Sequence, residues 1–379
     1  MLCGAPSDNV ERSSHSSGRG CAASAQIQRD HLASIGMTSL TDSFGIELPI
    51  LQAPMAGVQG SALAIAVSSA GGLGALPCAM LHAAVEAEVA SIRAATDRPF
   101  NLNFFCHVPP VFDAERERRW REVLSPYYEE FGIAVDDISD SPSRAPFDGA
   151  AAALVEALRP PVVSFHFGLP APALLARVRA TGARIVASAT TVDEARWLDG
   201  RGVDAIIAQG MEAGGHRGMF LGSDATAQLG TFALLPQVVT AVGVPVIAAG
   251  GIADASGVAA ALALGASAVQ VGTAYLLCGE ATTRPVHRAA LQGDGAGHTA
   301  LTNLFSGGLA RGIVNRVMRE LGPIHPLAPP FPLAAAAMAP LRSRAEAAGS
   351  GDFSPLWAGQ NVSGCKAVPA GILTRELAR

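Results

Sequence analysis

The chain has 379 residues, 49% hydrophobic and 16% charged, so it can bury a large core. Its net charge of −5 and the lack of a long basic run argue against a nucleic-acid binder, because phosphate backbones demand clustered Lys and Arg. No apolar stretch of about 20 residues is free of charges and turn signals, so no transmembrane helix and no membrane partner are expected.

Residues 1–36 are rich in Ser, Gly and Ala and hold no sustained hydrophobic period. They lack the apolar centre of a signal peptide, and Asp8, Glu11 and Asp30 weaken a transit-peptide reading. They are expected to form a disordered N-terminal extension, with Met37 as a natural start. The six cysteines (Cys3, Cys21, Cys78, Cys106, Cys278 and Cys365) include no CxxC pair. A reduced, cytoplasmic setting fits that usage, and no structural zinc site is expected.

From residue 37 onward, short apolar runs alternate with Ala-, Leu- and Val-rich segments at helical spacing. The first run is Pro49–Pro54, and a helix around 60–70 follows it. Gly72–Leu76 comes second, and a helix around 82–95 leads into the third run, Phe100–Phe105. Val162–His166 is the fourth, followed by a helix around 170–181 and then Arg184–Ser188. A helix around 192–200 precedes Asp204–Gln209, one around 231–242 precedes Pro245–Gly250, and one around 255–264 precedes Ala268–Gly272.

Eight short strands alternating with helices predict an α/β fold, a (β/α)8 TIM barrel. A doubly wound open sheet would show GxGxxG after its first strand, and Ala53-Pro54-Met55-Ala56-Gly57 is no such motif. The barrel is expected over 37–273, interrupted by an insertion at about 106–150 that carries a charged helix around 113–123. Residues 274–379 are too long for one closing helix and are expected to form a mostly helical substrate-side subdomain plus barrel-closing helices. The Ala-rich stretch 334–348 reads as one of these.

In such a barrel the strand C-terminal ends converge on one face. Those ends supply Ala53, Met55, Asn103, His166, Ser188, Gln209, His216, Gly250, Gly251, Gly272 and Thr273. The set holds no carboxylate pair and no cluster of metal ligands, so an organic cofactor is expected to carry the chemistry. The Gly-containing turns Ala249–Asp254 and Gln270–Thr273 fall after the seventh and eighth strands, where barrels cradle phosphates. A phosphate site without a charged clamp suits FMN.

The segment Gln209–Gly218 presents His216 and Arg217 from a Gly-rich turn. His216 is the candidate base or hydrogen-bond donor to substrate. Arg217 either pairs an anionic group or is solvated, and His166 is either a pocket residue or a core-edge histidine satisfied by backbone. Gln209 either meets a flavin ring edge or supports the turn.

Several motifs together resemble the nitronate monooxygenase family, class I branch, over about 40 to 360. The carriers are Pro49–Gly57, Asn101–Phe105, Ser188–Thr191, Gln209–Gly218, Ala249–Ala253 and Gln270–Thr273, with Phe165–Gly168 upstream of the His-Arg-Gly run. The resemblance implies bound FMN, O2 as oxidant and alkyl nitronates as substrates, propionate 3-nitronate foremost. Products would be a carbonyl compound and nitrite, a detoxification that needs no NAD(P)H. Flavin contacts would fall on Met55, Asn103, Gln209, Gly214, Gly251, Gln270, Val271, Gly272 and Thr273, with Ala53, Ser188 and Gly250 beside them. His216 would be catalytic, with His166, Arg217 and Trp357 binding substrate. Residues 300–322 and 355–360 would close over the site, and a monomer or homodimer is expected. The competing reading is an FMN-dependent NAD(P)H:quinone or enoyl-thioester reductase of the same superfamily.

Overall fold

Val, Ile and Ala runs bounded by Gly and Pro suit strands buried on both faces, the requirement of a parallel sheet wrapped by helices. A computed structural model describes residues 39–79, 84–134, 138 and 144–379. The expected extension at 1–36 lies outside the described residues.

Eight parallel strands form the barrel: β1 (Ile50–Gln52), β2 (Gly74–Pro77), β3 (Phe100–Phe105), β4 (Val162–His166), β5 (Arg184–Ala189), β6 (Ala205–Gln209), β8 (Val246–Ala249) and β9 (Ala268–Val271). Pairing runs β1-β9-β8-β6-β5-β4-β3-β2, and a bridge between Leu51 and Leu73 closes the ring. This is the (β/α)8 barrel that the alternation of runs predicts.

Alternation along each strand sorts the side chains. Ile50, Leu102, Phe104, Val163, Phe165, Ile206 and Val269 point outward into one core shared with the surrounding helices. Leu51, Leu73, Val162, Val186, Ala205, Ile207 and Ala268 pack in the lumen with Leu40 and Phe44 of helix α1 (Leu40–Phe44), which plugs it. Further along the same inward rows, polarity switches: Val162 gives way to Ser164, Val186 to Ser188, Ile207 to Gln209 and Ala268 to Gln270. The lumen is therefore dry at the plugged end and polar at the strand C-terminal end.

Wrapping the barrel are α2 (Ser61–Ser69), α3 (Val85–Ala95), α5 (Gly149–Leu158), α6 (Pro172–Ala180), α7 (Val192–Asp199), α8 (Thr231–Ala241), α9 (Ala255–Ala263) and α13 (Ala370–Leu377), several within a residue or two of the expected bounds. Asp148, Thr191 and Asp254 cap α5, α7 and α9 with their side-chain oxygens. Helix α5 has no counterpart among the expected elements.

The insertion helix α4 covers Ala114–Phe131, longer than expected. Its buried face, Trp120, Leu124, Tyr127 and Tyr128, continues at helical spacing past Pro126 to an αL cap at Gly132. That face packs on α12 (Ala335–Ala347), with the Tyr128 hydroxyl 2.8 Å from the Ala337 carbonyl. Arg116 donates to the carbonyls of Pro326 and Ala328, and Arg316 pairs with Glu130 at 2.7 Å. The insertion and the C-terminal segment, read separately from sequence, thus share a second core.

The segment after residue 273 is not only helical. It holds α10 (Pro285–Gln292) and α11 (Arg316–Leu321), but also β10 (Thr299–Thr302) and β11 (Ala310–Ile313). These two strands pair antiparallel, and β11 pairs in turn with β7 (Gly215–His216). Strands this short take their stability from a partner far away in sequence, so local periodicity does not reveal them.

Helix α2 lies against β2 with no room for a side chain between them. A Cβ at Gly74 would come within 2.1 Å of the Ala64 carbonyl oxygen. Gly74→Ala is expected to destabilise the fold by about 1–3 kcal/mol through forced backbone displacement. Urea unfolding checks it, as a lowered midpoint with unchanged slope.

Candidate active site

The polar ends of the strands open into a cavity of about 270 Å³. Its wall includes Ala53, Met55, Asn103, His166, Ser188, Gln209, Gly214, His216, Gly250, Gly251, Gln270, Gly272, Thr273 and Trp357. Nearly every residue singled out from sequence therefore meets in one place. Two do not. Val271 turns its side chain into the outer core of the barrel. Arg217 is buried away from the cavity: it donates to the carbonyls of Gly210 at 2.6 Å and Gln209 at 2.7 Å, and to Gln228 Oε1. Its guanidinium is consumed in tying down the turn, so it takes neither an anionic ligand nor solvent.

The turn is further held by the strand-end amide. Gln209 Nε2 donates to the His216 carbonyl at 2.9 Å, and Gln209 Oε1 accepts from the Gly218 N–H at 2.8 Å. His166 Nε2 also reaches the His216 carbonyl, at 3.2 Å. A carbonyl only accepts, so His166 carries its proton on Nε2, and Nδ1 is left to accept from Ser188 Oγ at 3.0 Å. His166 is thus both a cavity residue and a backbone-satisfied one.

His216 sits on β7, paired opposite Ala310 of β11. Its Nε2 lies 2.8 Å from Ser306 Oγ. Aromatic rings box it in: Phe331 at 5.0 Å, Trp357 at 5.5 Å, Phe167 at 6.2 Å and Phe105 at 6.4 Å between centroids. Phe167 holds φ at +67, strained for a bulky residue, and thereby stacks edge-on to Phe105 at 5.2 Å.

Burial pushes the His216 imidazolium well below its usual range, and the nearby Arg144 charge pushes it further. Burial likewise takes His166 down to about 4. His107, whose ring meets Phe331 at 4.9 Å, also falls to about 4, through burial and then Arg144. His166 and His216 are consequently neutral at pH 7, each with one donor and one acceptor.

Ser306, Phe331, Arg144 and Arg342 surround the same chamber or its wall, and none stood out in the sequence. They come from the insertion and the segment after residue 273, whose placement rests on long-range packing. Of the segments expected to close over the site, Trp357 lines the cavity and is tied by a β-bridge to Gly312. Arg316 instead pairs outward with Glu130 and Glu320.

A (β/α)8 barrel with polar strand ends converging on one enclosed chamber defines an enzyme of small-molecule chemistry. The family model for nitronate monooxygenase matches residues 37–378. The chain is 42% identical over 348 residues to a nitronate monooxygenase of Paraburkholderia phytofirmans, covering 91% of this chain and 95% of that one. It is 43% identical over 354 residues to the nitronate monooxygenase of Pseudomonas aeruginosa, at 89% and 98% coverage. Among solved structures, a nitroalkane oxidase from Streptomyces ansochromogenes superposes with a TM-score of 0.82 at 39% identity, over 90% of this chain and 97% of that one. The chain belongs to the nitronate monooxygenase family, enzymes that oxidise nitronates. No helix among the described residues is long and apolar enough to cross a membrane.

The buried histidines make stability depend on pH. His107, His166 and His287 titrate near 4 in the folded protein, against about 6.5 when unfolded. The native state therefore binds fewer protons, and the stability it gains is full above about 6.5 and lost as pH falls toward 4. The urea midpoint is expected to drop steadily across that window. His287→Asn should make the decline shallower, and an unchanged slope would mean His287 titrates normally in the fold.

Proposed function

We propose that the chain binds FMN in this chamber and uses O2 to oxidise alkyl nitronates, propionate 3-nitronate among them, to a carbonyl compound and nitrite without NAD(P)H. The observation that carries the reading is a neutral, boxed His216 facing a chamber whose wall also carries Gly250, Gly251 and Gly272 at the ends of the last two strands.

The residues present fit the flavin. Gly250 and Gly251 have φ of +115 and +74, conformations that disfavour a side chain, and they stand beside Gln270, Gly272 and Thr273 on the wall. A Cβ on Gly214 would lie 2.6 Å from the backbone of Ala358 and Gly359. This glycine-rich end suits a phosphate held by main-chain N–H groups after the last two strands. Asn103, Ser188, Gln209 and Gln270 would meet the polar ring edge, Ala53 and Met55 its apolar part, and Val271 could serve only through its main chain. When bound, FMN supplies the electron acceptor that protein side chains lack, and O2 restores it.

The chain's own residues then have modest tasks. A nitronate is already an anion, so no carbon-bound proton has to be removed. Neutral His216 can donate a hydrogen bond to a nitronate oxygen while Ser306 holds its Nε2 side. Phe105, Phe167, Phe331 and Trp357 exclude water around the reacting carbon and orient the substrate. Arg217 acts only through the backbone that it fixes.

Oxygen uptake by the FMN-loaded protein given propionate 3-nitronate and no reductant tests the reading. Rapid uptake with nitrite release is expected. No uptake, with flavin bleaching by NADH instead, overturns it in favour of a reductase. His216→Ala is expected to retain flavin absorbance yet lose about hundredfold or more in turnover. Unchanged turnover would remove His216 from the chemistry.

A further inference from the structure

His216 belongs to a small sheet that also carries the turn facing its ring. It pairs with Ala310 of β11, and residues 303–309 form the turn between β10 and β11. That turn is firmly held. Asn303 Nδ2 donates to the His325 carbonyl, and Asn303 Oδ1 accepts from the His325 N–H, both at 2.9 Å. The Gly307 N–H donates to the Asn303 carbonyl at 2.8 Å. Gly307 has φ at +86, and a side chain there would run into the Pro329 carbonyl oxygen. Ser306 is thereby buried with its hydroxyl 2.8 Å from His216 Nε2.

A hydroxyl has one proton to give. The Gly308 carbonyl is 3.5 Å from Ser306 Oγ, the outer limit of hydrogen-bond reach, whereas His216 Nε2 stands at an ordinary bonding distance. A neutral imidazole has one bare nitrogen, and that nitrogen attracts the hydroxyl proton. With Ser306 donating to Nε2, the ring proton of His216 sits on Nδ1. Nε2 faces a serine that is no part of the cavity wall, while the half-buried His216 is. Among the described residues Nδ1 has no hydrogen-bond partner. His166 is the opposite case: its proton is on Nε2, and both its nitrogens are spent, on the His216 carbonyl and on Ser188. The pair therefore offers the chamber one imidazole N–H and no imidazole lone pair.

We propose that Ser306 is a positioning residue that holds the His216 proton on Nδ1, and that this tautomer selects nitronates over their neutral nitroalkane forms. This rests on the function proposed above. A nitronate oxygen accepts hydrogen bonds, so an imidazole N–H on the chamber wall suits it. A neutral nitroalkane must first lose a proton from carbon, and an Nδ1 that already carries its proton cannot take it. Ser306 acts only through the imidazole. Without its hydroxyl nothing keeps the proton on Nδ1, and the lone pair can form there instead, where it repels a nitronate oxygen and can accept a proton from carbon.

Nitrogen NMR of the full chain, with histidine isotopically labelled at both ring nitrogens, separates protonated from bare positions. The His216 signals are identified by their loss in His216→Gln. Wild type is expected to show His216 protonated at Nδ1, and Ser306→Ala to lose that preference. On propionate 3-nitronate, kcat/KM of Ser306→Ala should fall about tenfold or more. On 3-nitropropionate, the same skeleton with a neutral nitro group, it should hold or rise. Ser306→Thr, which keeps the hydroxyl, should retain the tautomer and the substrate ratio of wild type. Wild type protonated at Nε2, or an unchanged substrate ratio in folded Ser306→Ala, overturns the proposal. If wild type oxidises neither compound, the proposed function fails, and the wild-type spectrum still decides the tautomer on its own.

Discussion

The His216 carbonyl accepts from two side chains at once, Gln209 Nε2 and His166 Nε2, and the arrangement of the site depends on that oxygen. Gln209 is rooted in β6 and His166 in β4, both rigid barrel strands. By holding one main-chain atom between them, they fix where β7 ends and so where the His216 ring stands. The same atom selects the tautomer of His166, which then selects the orientation of the Ser188 hydroxyl. Beneath the turn, Arg217 fills the carbonyls that a tight loop would otherwise leave bare. A buried arginine is usually read as a ligand hook. Here it is the internal brace of the loop that carries His216.

Neutrality of the histidines follows from the architecture. The chamber is lined by rings and enclosed from both sides by chain outside the barrel proper, so an imidazolium there would forfeit its hydration. The nearby arginine adds a second penalty. Among the described residues the full charge bearing on His216 is that of Arg144, and an anionic substrate has no need of a strong base. The same enclosure that suits oxidation of a nitronate would serve poorly for deprotonating a neutral carbon acid, because the resulting imidazolium is disfavoured.

Much of the barrel was legible because a strand buried on both faces must be a short apolar run, and its flanking glycines mark the turns. Ser188, Gln209 and Gln270 could be read as cavity-facing because each is a polar residue at or next to the end of a largely apolar strand. Arg217 was misplaced for a definite reason: spacing shows that a side chain leaves the turn, but not whether backbone carbonyls wait for it. Ser306, Phe331 and Arg144 carried no local signal. Their position is decided by the packing of α4 on α12 and by pairing of β7 with β11, contacts that join residues far apart in the chain. The same is true of the ribbon itself, whose strands look like loop until their partner is known.

The pairing of His216 with Ala310, and of Gly312 with Trp357, also has an order in time. During synthesis the barrel ring can close once Val271 has left the ribosome, since β9 pairs with both β8 and β1. The histidine, although made long before, has no partner strand until residue 310 emerges and no indole beside it until residue 357. A nascent chain thus pairs its barrel strands first and completes its chamber last, so a premature stop between those points would remove both the ribbon beside His216 and α13 from the outer core.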